Sequence, residues 1–157
     1  MELITGPAQM NIENTLNVTL VSSSLGSGIG LAAYDPGTNI GGILHFLLPS
    51  SSLNKPRAKK SPFMFADTGI AAFIQALDQH GAKRSELKLV AAGGSRSFNQ
   101  ETPYDIAQRN CLAIKAILAE YQLAISHEDF GGNFYRTLKI HGGHIYIQIP
   151  GHGEKKI

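Results

Sequence analysis

The sequence predicts an α+β fold, a layered sandwich of mixed and antiparallel β-sheet carrying two main helices. Three observations lead there. Short apolar or alternating runs outnumber the two helical patterns. The runs and helices do not follow a regular βαβ series. The 17 glycines, many in pairs or beside proline, place turns between the runs. With 157 residues, 43% of them hydrophobic and 17% charged, the chain suits one domain with its own core. No repeat or linker divides it, so residues 1–157 read as a single domain.

The elements follow in order. Residues 17–21 alternate apolar and polar side chains and predict a strand. A Ser/Gly stretch covers 22–30, followed by a short apolar run at 31–34. Asp35-Pro36-Gly37 signals a turn, because proline pre-sets its φ and glycine is free to take a positive one. Residues 40–48 form a second apolar strand ended by Pro49, so 18–48 reads as hairpin-like β structure. A polar, basic loop then runs to Pro62. Ile70, Phe73, Ile74 and Leu77 share one helical face, with Gly81 placed as the C-terminal cap. Residues 87–92 predict a short strand leading into a loop that begins Gly93-Gly94. Thr102-Pro103-Tyr104-Asp105 offers an N-cap threonine, a proline at the first helical position and an acid three residues on. Ala107, Cys111, Ile114 and Leu118 then share the buried face of the second helix. Strands at 123–127, 135–140 and 144–149, separated by Gly131-Gly132 and Gly142-Gly143, complete the chain.

Composition removes several classes of function. A net charge of +2 does not argue for nucleic acid, which calls for a basic face. No apolar run approaches the ~20 residues of a membrane helix, and MELITGPAQM lacks the basic start and long apolar core of a signal peptide. One cysteine cannot form an internal disulfide, which fits a reducing compartment. A cytoplasmic protein without nucleic-acid partner or membrane insertion is the expectation.

Most motifs have a structural reading that outweighs the functional one. Gly26-Ser27-Gly28-Ile29-Gly30 resembles a phosphate loop, but such a loop needs a helix N-terminus after the glycines. Here Leu31-Ala32-Ala33-Tyr34 and a turn follow, so the stretch reads as a glycine-rich strand with a bulge or close backbone contact. Gly93-Gly94-Ser95-Arg96-Ser97 partly resembles a serine-hydrolase elbow, yet Ser97 stands where the second glycine belongs. A turn supplying backbone N–H groups is the better reading. His141-Gly142-Gly143-His144, with His152 beyond, lacks the carboxylate or cysteine partners of a metal site. No metal or other cofactor is expected. Cys111 falls in phase with Ala107, Ile114 and Leu118 and reads as a small core residue rather than a nucleophile. Lys55-Pro56-Arg57-Ala58-Lys59-Lys60 reads as a solvated basic loop or a surface for an acidic partner.

His45 differs. It lies inside an apolar strand, and a buried histidine must find hydrogen-bond partners. Ser22, Ser23, Ser24 and Ser27 lie on the neighbouring segment of the expected hairpin. A histidine beside hydroxyls is the skeleton of an acid–base site; a core histidine satisfied by a serine is the alternative.

The chain carries, in order, Ser22, Leu25-Gly26-Ser27-Gly28, Tyr34-Asp35-Pro36, Gly41-Gly42-Ile43-Leu44-His45 and Leu48-Pro49. Phe65-Ala66-Asp67, Gly81-Ala82, Ala92-Gly93-Gly94, Arg109-Asn110 and Asp129-Phe130-Gly131-Gly132-Asn133 follow. Together these segments resemble the CheD family of chemoreceptor glutamine deamidases. The family pattern runs in the same register from a hydroxyl residue through Leu-Gly-Ser-Cys, a strand ending Asp-Pro, and Gly-Gly and His before Leu-Pro, with similar later landmarks. The resemblance implies a cysteine-hydrolase-like fold and a thiolate that attacks the side-chain amide of a receptor glutamine. Histidine would activate the thiol and protonate the departing ammonia, a hydroxyl would orient the histidine, and backbone N–H groups near the glycines would hold the oxyanion. Carried onto this chain, His45 is the base, Ser22 orients it, and the nucleophile position holds Gly28. Arg96 and Ala107-Gln108 are further departures from the family pattern.

Glycine has no side chain to attack with, and losing a covalent nucleophile costs on the order of 10⁴- to 10⁶-fold. Ser27 is adjacent, but strand neighbours point to opposite faces, so it points away from His45 unless a bulge re-aims it. The resemblance therefore implies a CheD-like chemotaxis protein without deamidase activity, binding chemoreceptor helices or a CheC-type phosphatase. An amide hydrolase using Ser27 with His45, and a binding domain unrelated to chemotaxis, are the alternatives.

Overall fold

The computed structural model of the chain describes residues 1–96 and 105–157. It is an α+β sandwich of three layers: helices, an inner sheet and an outer sheet, both sheets mixed. The inner sheet contains β2 (Gln9–Asn14), β4 (Ile29–Asp35), β5 (Ile40–Phe46), β6 (Lys88–Gly93) and β7 (His127–Phe130), in the order β2-β5-β4-β6-β7. Only β6 and β7 run parallel in it. The outer sheet, β1-β3-β8-β9-β10, joins β1 (Glu2–Ile4) in parallel to β3 (Thr19–Leu25). Antiparallel β8 (Arg136–His141), β9 (His144–Ile149) and β10 (Gly153–Lys156) extend it.

Burial patterns explain why these sequences take these places. Every residue of β4 is buried, since the inner sheet is covered on both faces and its strands need no polar side. Leu138 and Ile140 alternate with half-buried neighbours, as a one-sided sheet requires. One core lies between the sheets, where Leu20, Leu25, Ala32, Ile43, Val90, Leu138 and Ile147 meet. The other lies under α2 (Ala66–Gln79) and α3 (Ile106–Glu120), where Ile29, Leu31, Leu44 and Phe46 meet Ile70, Phe73, Leu77, Ile114 and Leu118. At Gly42 a Cβ would come within 2.8 Å of Phe73, so glycine is what lets α2 approach β5 so closely.

The expected turn and cap chemistry is present. Asp35, fully buried, accepts from Gly37 N (2.9 Å), Thr38 Oγ1 (2.9 Å) and Lys83 N (2.8 Å), closing the β4–β5 turn and tying it to the segment after α2. Burial alone would raise its carboxyl, but these donors outweigh it and hold the group below its ordinary value. Gly81, with φ +94°, follows α2, and the N–H of Ala82 returns to Leu77 O at 3.1 Å.

Several boundaries differ from expectation. Residues 18–48 are not one hairpin: β4 and β5 form it, whereas β3 belongs to the outer sheet. The serines at 22–24 are part of β3, which is irregular between Ser22 and Leu25 and has Ser24 at φ 57°. A bulge bends and twists a strand, and here it lies where the chain leaves one sheet for the other. The basic loop contains a short helix, α1 (Lys55–Lys60), because Asn54 Oδ1 accepts from Arg57 N and Pro56 suits a first turn. Leu123 to Ser126 are not strand. Gln122 turns at φ 59° and Leu123 N bonds Leu118 O, so this stretch finishes α3 before β7 begins at His127. Asp105 caps α3, accepting from Gln108 N at 3.1 Å; the expected cap Thr102, with Pro103, Tyr104 and Ser97, lies outside the described residues.

Candidate active site

The period-2 alternation of β5 sends Leu44 and Phe46 toward the helices and His45 toward the outer sheet. His45 is buried, paired through its backbone with Gly30 and Gln9, and its carbonyl accepts from Ala8 N at 2.8 Å. Ser22 on β3 reaches it across the sandwich rather than along a hairpin: Ser22 Oγ lies 3.5 Å from His45 Nδ1, at the outer limit of a hydrogen bond. Ser22 donates its one hydroxyl proton to Thr5 O at 2.9 Å. It can therefore only accept from the imidazole, which places the ring proton on Nδ1 and leaves a lone pair on Nε2. This tautomer is assigned from the bonding network.

Gly28 lies two residues before Gly30 and so falls on the same face as His45. A Cβ at Gly28 would sit 3.3 Å from His45 Nε2 and 2.6 Å from Phe46 O. The residue is buried, and its φ is not in the left-handed region. Ser27 is exposed and lines the same cleft but makes no hydrogen bond with His45; Ser22 is the serine that reaches the imidazole. The cleft above Gly28 and His45 encloses about 780 Å³, with Ser95, Arg96, Asn133 and Tyr135 among its walls. Arg96 is ion-paired with Asp105, which also lines it.

Two devices hold the glycine loop. Gly94 N donates to Gly28 O (3.0 Å) and Ser95 N to Gly26 O (2.9 Å), so the turn after β6 does supply N–H groups, but to the loop itself. Asn110 Nδ2 donates to both Ser27 O and Leu47 O, each at 2.9 Å, clamping the loop to the end of β5. The N–H groups of Ser27 and Gly28 bond no described residue. Arg136, 2% exposed, binds Asp129 Oδ1 through Nε (3.1 Å) and Nη2 (3.0 Å), and its Nη1 lies 3.3 Å from Gly93 O. Its guanidinium lies over the Phe134 ring at 4.5 Å, joining β8 to the ends of β6 and β7 beside the cleft. Both Asn110 and Arg136 carry a sequence signal that periodicity could have revealed. Asn110 is in phase with the apolar face of α3, and Arg136 is in phase with inward-facing Leu138 and Ile140.

The other sequence candidates lie apart. Cys111 is half-buried rather than enclosed in the core. Its sulfur is packed against Gly94, and it lines a second pocket of about 360 Å³. Burial pushes its thiol up, which suits a packing residue more than a nucleophile. His141 Nδ1 meets Thr19 Oγ1 at 2.7 Å, while His144 packs edge-on against Tyr146. Among the described residues no group of three His, Cys, Asp or Glu could hold a metal ion.

Burial lowers the His45 pKa from 6.5 to about 4, so the ring is neutral at pH 7. As pH falls through 6.5 the unfolded chain takes up this proton before the folded one does. The neutral ring's contribution is complete above pH 6.5 and is lost progressively down to about pH 4. At most about 3 kcal/mol is at stake. Urea unfolding across that window is expected to show a slope that His45→Gln removes. An unchanged slope in the variant would assign it to other groups.

A sequence model of the CheD family, described as CheD chemotactic sensory transduction, matches residues 47–149. The chain is 37% identical over 152 residues to "Probable chemoreceptor glutamine deamidase CheD" of Solibacter usitatus, covering 96% of this chain and 90% of that protein. It is 38% identical over 157 residues to the protein of the same name from Symbiobacterium thermophilum, covering 97% and 94%. The chain belongs to the CheD family. CheD proteins are chemotaxis proteins and glutamine deamidases. The family-model match begins two residues after His45, while the similarity to the two relatives extends over nearly the whole chain. Among the described residues of this CheD protein, no helix is long and apolar enough to cross a membrane.

Proposed function

We propose that this CheD protein acts as one domain in the cytoplasm, binding a glutamine-bearing segment of a chemoreceptor without deamidating it. One observation carries the reading: the position whose Cβ would face His45 Nε2 at 3.3 Å is a glycine. Deamidation by the family's route needs a thiolate to attack the side-chain carbonyl carbon, ammonia to leave, and water to cleave the thioester. The groups that attack would need are assigned here to a base at His45, its orienting hydroxyl at Ser22, N–H groups at Ser27 and Gly28 that bond no described residue, and an open cleft. The attacking atom is not.

Ser27 is a weak substitute. It shares no hydrogen bond with His45, and its carbonyl is held by Asn110. Ser22 does reach the ring, but its proton is committed to Thr5 O. The receptor is favoured as partner because the relatives' names specify a chemoreceptor glutamine.

The test is to incubate the purified protein with a glutaminyl chemoreceptor fragment. Mass spectrometry follows the gain of about one mass unit that deamidation causes, and sedimentation follows the complex. The expected result is a complex without mass gain. Turnover at the rate of an intact family deamidase would sink the reading.

A further inference from the structure

We infer that the basic helix α1 is a second docking contact outside the cleft, taking an acidic stretch of the same receptor chain. The inference rests on the receptor-binding reading above and adds the chemistry of a contact that reading does not use. Residues 49–63 carry Lys55, Arg57, Lys59 and Lys60 and no Asp or Glu. All four cations are exposed, and among the described residues none has an ion pair. They are four of the chain's 14 basic residues; the other ten stand against 12 acidic ones, so the positive net charge comes from this helix. Lys55 and Lys59 are four apart and Arg57 and Lys60 three apart, spacings at which like charges repel along a helix. No acid in the first turn relieves them.

These charges sit on a fixed base beside the cleft. Leu47 and Leu48 line the cleft, and their N–H groups both donate to Met64 O, at 2.8 and 3.0 Å, so residues 49–63 leave the cleft wall and return to it. Compact loops with such meeting ends are frequent sites of function. On one limb Ser51 donates to Asp67 through N (2.9 Å) and Oγ (2.6 Å), which commits that carboxylate to the loop's frame instead of its cations. On the other, Thr68 Oγ1 donates to Pro62 O at 2.5 Å, and a Cβ at Gly69 would come within 3.3 Å of Phe63 Cα. Ala58, the buried residue of α1, faces the protein and leaves the cations to solvent. Chain reach alone keeps Lys60 within roughly 12 Å of Met64, and Lys55 within roughly 20 Å of Leu48.

The shape of the patch selects an acidic polypeptide. A helix that lies on a bilayer needs an exposed apolar face. Here Ala58 is turned inward, and Leu53 is the large apolar side chain exposed in the loop. Four cations alone hold an anionic bilayer at only about millimolar strength. Six helical residues span about 9 Å, short for tracking a nucleic-acid backbone but matched to carboxylates one turn apart on a partner helix. A contact of this kind speeds encounter and is weakened by salt.

The experiment compares the full chain with a variant carrying Lys55→Gln, Arg57→Gln, Lys59→Gln and Lys60→Gln together. Each is titrated at about 0.05 M and about 0.3 M salt. The probes are a glutaminyl chemoreceptor fragment and a copy of it whose Asp and Glu within about 20 Å of the glutamine are alanine. The unaltered chain is expected to bind the acidic fragment about tenfold more tightly than the variant does at low salt. That advantage should shrink at high salt and disappear on the alanine fragment. Equal binding by chain and variant at both salts, or equal binding of the two fragments by the unaltered chain, would overturn the inference while leaving receptor binding intact. The fragment comparison needs no variant, so it decides the matter even if the variant does not fold. Pelleting with phosphatidylglycerol vesicles that the variant loses would assign α1 to a bilayer and overturn the inference too. Failure of the unaltered chain to bind either fragment would overturn the receptor reading, and this inference with it.

Discussion

Gly28→Cys is expected to give a reactive thiol and to raise deamidation of a glutaminyl receptor fragment by on the order of 10⁴-fold or more. The Cβ would stand 3.3 Å from His45 Nε2, so the new sulfur begins beside an unprotonated ring nitrogen. Transfer of the thiol proton to that nitrogen makes a thiolate–imidazolium pair, in which each charge favours the other. The same pairing raises the His45 pKa from its buried value of about 4. Space opposes the change. The Cβ would also lie 2.6 Å from Phe46 O, a backbone atom, and 3.2 Å from Leu47 Cδ2, so the backbone at the end of β5 must shift to admit it. Overpacking of this kind costs about 1–3 kcal/mol. The backbone itself does not resist, since the φ of Gly28 is not left-handed. Alkylation rates against pH, measured in a Cys111→Ser background, report the thiol, and ammonia release reports the chemistry. A stable variant with an inert thiol would mean that the cleft no longer has a deamidase geometry.

Asp129→Ala is expected to destabilise the protein by about 3 kcal/mol, because it leaves the Arg136 guanidinium buried without its carboxylate. Arg136 is 2% exposed, whereas the Asp129 side chain is 30% exposed, which places the loss toward the low end for a broken buried pair. Arg136→Met should cost less, since methionine keeps much of the volume under Phe134 and leaves only a partly solvated carboxylate behind. Thermal unfolding reads the difference: each kcal/mol shifts Tm by roughly 2–4 °C in a chain of this size. If the two single variants were equally destabilised, the burial of the unpaired cation would not be the controlling cost. The double variant should then resemble Arg136→Met alone, because removing the cation removes the penalty for lacking its partner.

Much of the frame was legible from periodicity. The apolar faces of α2 and α3, the apolar run at residues 31–34 of β4 and the Asp35 turn each report an environment through residues only a few positions apart. The three residues of β1 and the four exposed residues of β10, three of them charged, are too short or too polar to reveal their pairing, which the neighbouring strand supplies. The departure of β3 from the expected hairpin was illegible for a different reason. A strand that alternates at residues 17–21 fits either sheet, and the choice is made by long-range pairing with β8.

The site divides in the same way. That position 28 has no side chain, and that His45 lies in an apolar strand, are properties of the sequence. Tertiary structure decided the rest: that Ser22 comes to His45 from the facing sheet, that Thr5 takes the hydroxyl proton, and that Nε2 is consequently the open acceptor. It also decided that Asn110 and Arg136 secure the loops around the cleft. The physical reason is range. A missing atom or a strand phase is set within a few residues, whereas a proton's position depends on hydrogen bonds closed between segments that meet only when the two sheets pack.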